Sequence, residues 1–171
     1  MKQDVSVVFF GSYPMSLLIL KRLFNAPGVR IEMVISQSEK QKSRTFRNFL
    51  IEWVNEYHPE MRLERVSSQQ DITNAVSKAG LKQVDFVVCC WFLYKVPDSV
   101  ISMARKEAVN IHPSLLPKYR GADPIRRAIM ANESRTGVTL HRLTDKYDAG
   151  EILGQKEVAI TTNAYFDDVC E

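Results

Sequence analysis

Chemistry-bearing side chains concentrate in the stretch Asn110-Ile111-His112-Pro113-Ser114-Leu115-Leu116-Pro117-Lys118-Tyr119-Arg120-Gly121. In an extended segment, residues two apart point to the same face. Asn110 and His112 therefore aim into one site, and Pro113 keeps the strand from continuing as an ordinary ladder. An amide donor beside an imidazole suits acyl transfer: the amide steadies a developing oxyanion and the imidazole moves protons. A third polar group is Asp148, within Asp145-Lys146-Tyr147-Asp148-Ala149-Gly150. Beside an imidazole, its carboxylate is expected to raise the histidine pKa and orient the ring. Each residue also has a plain structural reading: Asn110 as a turn former, His112 as a satisfied core histidine, Asp148 as a turn residue. Residue types alone leave an α/β enzyme with a His–Asp pair.

Several chemistries are excluded. After the first apolar run stands Gly11-Ser12-Tyr13-Pro14, not G-x-G-x-x-G, so a dinucleotide grip is not expected, and no Walker pattern occurs. Cys89 and Cys90 are adjacent inside an apolar run and Cys170 is remote, which fits neither a disulfide framework nor zinc ligation. A reducing cytoplasm is the expected compartment. His112, His141 and Asp148 lack metal-ligand spacing, so no metal is expected, and His141 reads as an ordinary strand residue. The net charge of +3 is too weak to imply nucleic acid by itself. No apolar run reaches the length of a membrane span, and the N-terminus has no signal-peptide layout.

These side chains need a scaffold, and the hydrophobic pattern supplies one. Residues 1–171 read as a single domain, ending early and lacking a second one. Val5–Phe10, Ile31–Ile35, Val84–Cys90 and Val109–His112 read as buried strands, and 61–66 as a short one. Between them, Ser12 caps a helix with an inward stripe at Met15, Leu18, Ile19 and Leu23. Thr45 caps a second with Phe46, Phe49, Leu50, Trp53 and Val54 inward. Helices are also expected over 71–79, from Asp98 to about Arg105, and from a capping Asp123 with Pro124 to about Asn132. Val138–Leu143 and Ile152–Ile160 lie close in sequence, which favours an antiparallel pair, and a helix begins near Tyr165. The sum is a Rossmann-like, mostly parallel sheet flanked by helices, with an antiparallel C-terminal strand pair. The loop at 36–44, with Lys40, Lys42 and Arg44, reads as solvated. Trp91-Phe92-Leu93-Tyr94 follows a parallel strand directly, where ligands of such sheets bind. It reads equally as a ring platform and as a packed hydrophobic turn.

Asn110 to Pro117 resembles the signature of the folate-dependent formyltransferases. Gly137-Val138-Thr139 with Asp148-Ala149-Gly150 resembles that family's second signature, in the same order and at a similar separation. Leu140 and Arg142 depart slightly from it. The likeness runs over nearly the whole chain. It implies the formyltransferase fold, 10-formyltetrahydrofolate as formyl donor, a primary amine as acceptor, and catalytic roles for Asn110, His112 and Asp148. It also implies that the folate lies against Trp91, Phe92, Leu93 and Tyr94 and against the loop holding Tyr147. Phe10–Pro14 and Arg120–Ile125 resemble the methionyl-tRNA and sugar formyltransferase branches. The expected acceptor is therefore an aminoacyl-tRNA, with an amino-sugar nucleotide as the competitor. Hydrolysis of the formyl donor and folate binding without turnover are the readings of other classes.

Overall fold

The computed structural model describes residues 4–38, 48–161 and 165–170. They form two compact units, Met1–Ala108 and Val109–Glu171.

The first unit opens with β1 (Val5–Gly11), α1 (Pro14–Phe24) and β2 (Val29–Gln37), then α2 (Phe49–Tyr57), β3 (Leu63–Val66), α3 (Gln69–Lys78), β4 (Val84–Cys90) and the short α4 (Asp98–Ile101). Its strands run parallel in the order β3-β2-β1-β4. The apolar runs of β1, β2 and β4 are buried, as near-continuous hydrophobic strands in a parallel sheet must be. Phe9, Phe10, Met33, Ile35, Leu50 and Ile72 are fully enclosed. Asp85 interrupts β4 for a reason. Its Oδ2 accepts from Ser6 N at 2.9 Å and Ser6 Oγ at 3.0 Å, and Arg105 Nη2 lies 3.2 Å away. The bond from the Ser6 backbone, followed by the Ser6 hydroxyl and Arg105, holds its pKa below the usual carboxylate value against the opposing effect of burial.

Local chemistry corrects several boundaries. Ser12 does not cap α1; Tyr13 holds that position without a side-chain bond. The Ser12 hydroxyl is buried instead and accepts from Gln37 N at 3.0 Å. The buried face of α1 is Ser16 and Leu20, whereas Leu18 is 50% exposed. Asn48 caps α2, its side chain accepting from Ile51 N. Lys40, Lys42, Arg44, Thr45 and Phe46 lie outside the described residues. Ser68 caps α3 through Asp71 N, and Gly80 follows with a φ of +67°, the left-handed geometry that suits glycine after a helix. Helix α4 is shorter than its pattern suggests because the chain turns back into β5 (Ala104–His112), which starts in the first unit and ends in the second.

The second unit continues with α5 (Pro124–Met130), β6 (Arg135–Arg142), β7 (Ile152–Ala159) and α6 (Phe166–Cys170). Strands β5, β6 and β7 are antiparallel neighbours, as the close spacing of the last two predicts. Asp123 does not cap α5 through its side chain; it sits at φ +58° in the left-handed region. Every residue of β7 is exposed. Among the described residues no helix is long and apolar enough to cross a membrane.

Candidate active site

Strand register brings the polar side chains together. Asn110 stands opposite His141, and His112 opposite Thr139. Directly opposed residues of an antiparallel pair have Cβ atoms about 4.5–5.5 Å apart. Two i, i+2 pairs, one on each strand, thus form a four-residue polar patch. His112 is 5% exposed and His141 1%, so both need partners.

Asp148 supplies the centre of the patch. Its Oδ1 accepts from Asn110 Nδ2 at 3.1 Å and lies 3.3 Å from His141 Nε2; its Oδ2 accepts from Gly121 N at 2.8 Å and lies 3.4 Å from His112 Nδ1. The backbone at Asp148 is left-handed, φ +47°, a conformation aspartate tolerates better than most residues. Gly150 returns the loop onto β6, because any Cβ there would run into the Arg142 carbonyl oxygen.

Carbonyl partners fix the ring protons. The Tyr119 carbonyl lies 2.9 Å from His112 Nε2, so that nitrogen carries a proton. The Arg142 carbonyl lies 2.9 Å from His141 Nδ1, which therefore donates to it. On the other edge of the ring, His141 Nε2 meets the Asn110 amide nitrogen at 3.1 Å.

Burial pushes the His112 pKa down, and this outweighs the Tyr119 carbonyl and Asp148, which push it up; His141 and Arg127 add to the lowering. The expected rise from Asp148 is present but is overcome. His112 therefore rests neutral near pH 7, with Nδ1 as its basic nitrogen. Burial raises the Asp148 pKa, but His141, His112 and the Gly121 N–H together hold it below the usual value. At neutral pH the pair is a carboxylate beside a neutral imidazole.

Thr139 ties the two signature stretches to each other. Its buried hydroxyl donates to Ser114 O at 2.6 Å and accepts from Leu116 N at 3.1 Å and from Gln155 Nε2 at 2.8 Å. Gln155 also donates to Leu116 O at 2.8 Å. The loop after His112, including the cis Leu116–Pro117 bond, is thereby tied to β6 and β7. Gly137 leaves the space: a Cβ there would sit 2.6 Å from Leu115 Cδ2 and collide with the Lys156 carbonyl oxygen. Thr139→Val keeps the shape but strands the Leu116 N–H and the Ser114 carbonyl. It should destabilise the protein by about 1–3 kcal/mol, read from the midpoint of denaturant unfolding, while Thr139→Ser stays close to wild type. An unchanged midpoint in Thr139→Val would remove this role.

Asn110, His112 and Asp148 are thus brought together in the second unit. Tyr147 belongs to the same loop as Asp148 but is 62% exposed. Trp91, Phe92, Leu93 and Tyr94 lie in the first unit, directly beyond β4. There Trp91 adopts φ +48°, its ring edge-on to Tyr13 at 5.6 Å, Phe92 packs against Phe10 and Tyr94, and Leu93 is 53% exposed. Cys90, next to that turn, has its thiol pushed up to about 12 by burial and stays protonated. His141 is the residue that sequence reasoning missed. Its signal was the shared face with Thr139 at i, i+2, informative only once β6 is paired to β5. Among the described residues no group of three or more His, Cys, Asp or Glu side chains is arranged to hold a metal ion.

Comparison with known proteins follows the same lines. The family model described as "Formyl transferase" matches residues 6–170. The methionyl-tRNA formyltransferase of Limosilactobacillus fermentum is 31% identical over 161 residues, covering 91% of this chain and 49% of that protein. The methionyl-tRNA formyltransferase of Thermotoga maritima is 32% identical over 165 residues, covering 94% and 51%. The chain spans about half the length of the curated relatives it matches. The crystal structure of phosphoribosylglycinamide formyltransferase from Anaplasma phagocytophilum superposes with a TM-score of 0.74 at 25% identity, covering 98% of this chain and 78% of that one. A formyltetrahydrofolate deformylase from Pseudomonas syringae pv. tomato shares the fold, with a TM-score of 0.72 at 22% identity over 99% of this chain and 56% of that one. With a family match over nearly all its residues, and with the paired signatures folded into one buried cluster, this chain belongs to the formyl transferase family.

Proposed function

We propose that this protein transfers a formyl group from 10-formyltetrahydrofolate to the amine of methionyl-tRNA, with Asn110, His112 and Asp148 as the catalytic residues. The observation that carries the reading is the buried cluster in which Asp148 engages both Asn110 and Nδ1 of His112. The methionyl-tRNA formyltransferases that align over most of this chain support the choice of acceptor.

The amine nitrogen bonds to the formyl carbon, the bond from that carbon to the folate nitrogen breaks, and one proton passes from the amine to that nitrogen. His112 takes the proton at Nδ1 and returns it to the leaving nitrogen; Asp148 stabilises the imidazolium formed between. Asn110 steadies the formyl oxygen as charge develops, which requires one of its amide N–H groups to leave His141 or Asp148. We assign donor binding to Trp91, Phe92, Leu93 and Tyr94 and to Tyr147; the position of the first four beyond the carboxyl end of a parallel strand supports this.

The test is tetrahydrofolate release from 10-formyltetrahydrofolate with methionyl-tRNA, with amino-sugar nucleotides, and with no amine. Turnover is expected with methionyl-tRNA. Turnover on an amino-sugar nucleotide alone would replace the acceptor, and formate release without any amine would replace transfer by hydrolysis. Because burial holds His112 below the ordinary histidine pKa, the acid limb of kcat should fall below about pH 6.5. A limb above that value would argue against neutral His112 as the resting form.

A further inference from the structure

We propose that Glu133 is a positioning residue for His112, acting through the side chain and backbone of Tyr119. The proposal rests on the reading of His112 as the proton-moving group. Tyr119 has φ +58°, which for a bulky aromatic residue is a strained backbone held by its surroundings. That backbone delivers the carbonyl that accepts His112 Nε2–H at 2.9 Å. What holds the residue is its side chain. The phenol donates to Glu133 Oε1 at 2.8 Å, and Lys118 Nζ donates to the same oxygen at 2.9 Å. Arg127 lies over the ring, 5.4 Å from its centroid, and its Nη1 donates to the carbonyl of the next residue, Arg120, at 2.8 Å.

Glu133 itself is placed by the end of α5, where its N–H bonds to the Ala128 carbonyl at 3.1 Å. A chain of contacts therefore runs from a helix end to the imidazole: Ala128, Glu133, Tyr119, His112. Its output is the tautomer. With the proton held at Nε2 by the Tyr119 carbonyl, Nδ1 keeps the lone pair; without that carbonyl the proton distributes between both nitrogens. The charged and titratable groups around His112 are Asp148, His141 and Arg127.

The experiment compares Glu133→Ala, Glu133→Gln, Tyr119→Phe and Lys118→Ala in the full chain. Two readouts are taken: long-range proton–nitrogen spectra of the His112 ring in the free protein, and kcat and KM for formyl transfer. In Glu133→Ala, kcat should drop about 10- to 100-fold with the donor KM little changed, the size expected for misplacing a catalytic group. The ring should lose its fixed Nε2–H form and titrate at lower pH, since the carbonyl bond favours the protonated ring. Glu133→Gln keeps an oxygen for the phenol and should restore most of the rate, and Lys118→Ala should match wild type. Tyr119→Phe keeps the ring under Arg127 and should reproduce the Glu133→Ala spectrum, which decides the matter if Glu133→Ala fails to fold. An unchanged His112 spectrum in Glu133→Ala or, failing that, in Tyr119→Phe overturns the proposal. The spectra need no turnover: a wild-type protein that transfers no formyl group overturns the functional reading and leaves this inference to the ring signals.

Discussion

Replacing His112 with alanine is expected to lower formyl transfer by about 100- to 10,000-fold, the range a positioned acid–base group supplies. The ring is 5% exposed, with Nε2 held by the Tyr119 carbonyl and Nδ1 turned to Asp148. No other imidazole can take over: His141 spends Nδ1 on the Arg142 carbonyl and faces Asn110 with Nε2. Donor binding should persist, because the loss falls on proton movement, so the drop belongs in kcat. A purified, folded His112→Ala protein that turns over at near wild-type rate would remove His112 from the mechanism. His112 also links acidity to stability. Its folded pKa is depressed, so its contribution to stability is present above the unfolded value near pH 6.5 and is lost as pH falls below it.

Asp148→Asn should be as damaging, by about 100- to 1,000-fold, and for a different reason. The carboxylate accepts from both Asn110 and Gly121. A carboxamide offers one oxygen and an NH₂ group. Whichever way it is turned, one donor faces another, and the imidazolium formed at His112 loses its counter-charge. Stability should fall by about 1–3 kcal/mol from the mispaired buried groups. The informative comparison is kcat in Asp148→Asn against Asn110→Ala: if Asp148→Asn retains normal turnover, the carboxylate is a loop tie and nothing more. Like His112, Asp148 has a depressed folded pKa; its stabilisation is present above the unfolded value near 3.9 and is lost as pH falls through the folded one.

Where side-chain pattern decides structure, the sequence was readable. Buried strands such as Val84–Cys90 are contiguous apolar runs, and the Asn110/His112 face follows from the pleat alone. Caps were less so. Ser12 and Asp123 have the right types for helix caps, yet Ser12 is drawn to Gln37 N and Asp123 sits left-handed. A competing partner far along the chain decides such positions, and local spacing does not contain it. His141 shows the same limit at the site. Its role depends on β6 lying beside β5 in one register, a long-range fact, and on a bulge between Leu140 and His141 in the pairing with β7. For the His112 pKa, the upward pull of the Asp148 carboxylate was legible, but the depth of burial that outweighs it was not.

The hydroxyl of Thr139 has a consequence for motion. A loop beside a functional site usually opens by itself, ahead of the strands that bear it. Here the Leu116 N–H and the Ser114 carbonyl hang on a side chain of β6, and Gln155 of β7 closes over the same oxygen. To open, the loop must break bonds that belong to the strands. The loop after His112 and the antiparallel ladder therefore open as one cooperative unit, and the Tyr119 carbonyl keeps its bearing on the imidazole through the small fluctuations that would blur it on an untethered loop.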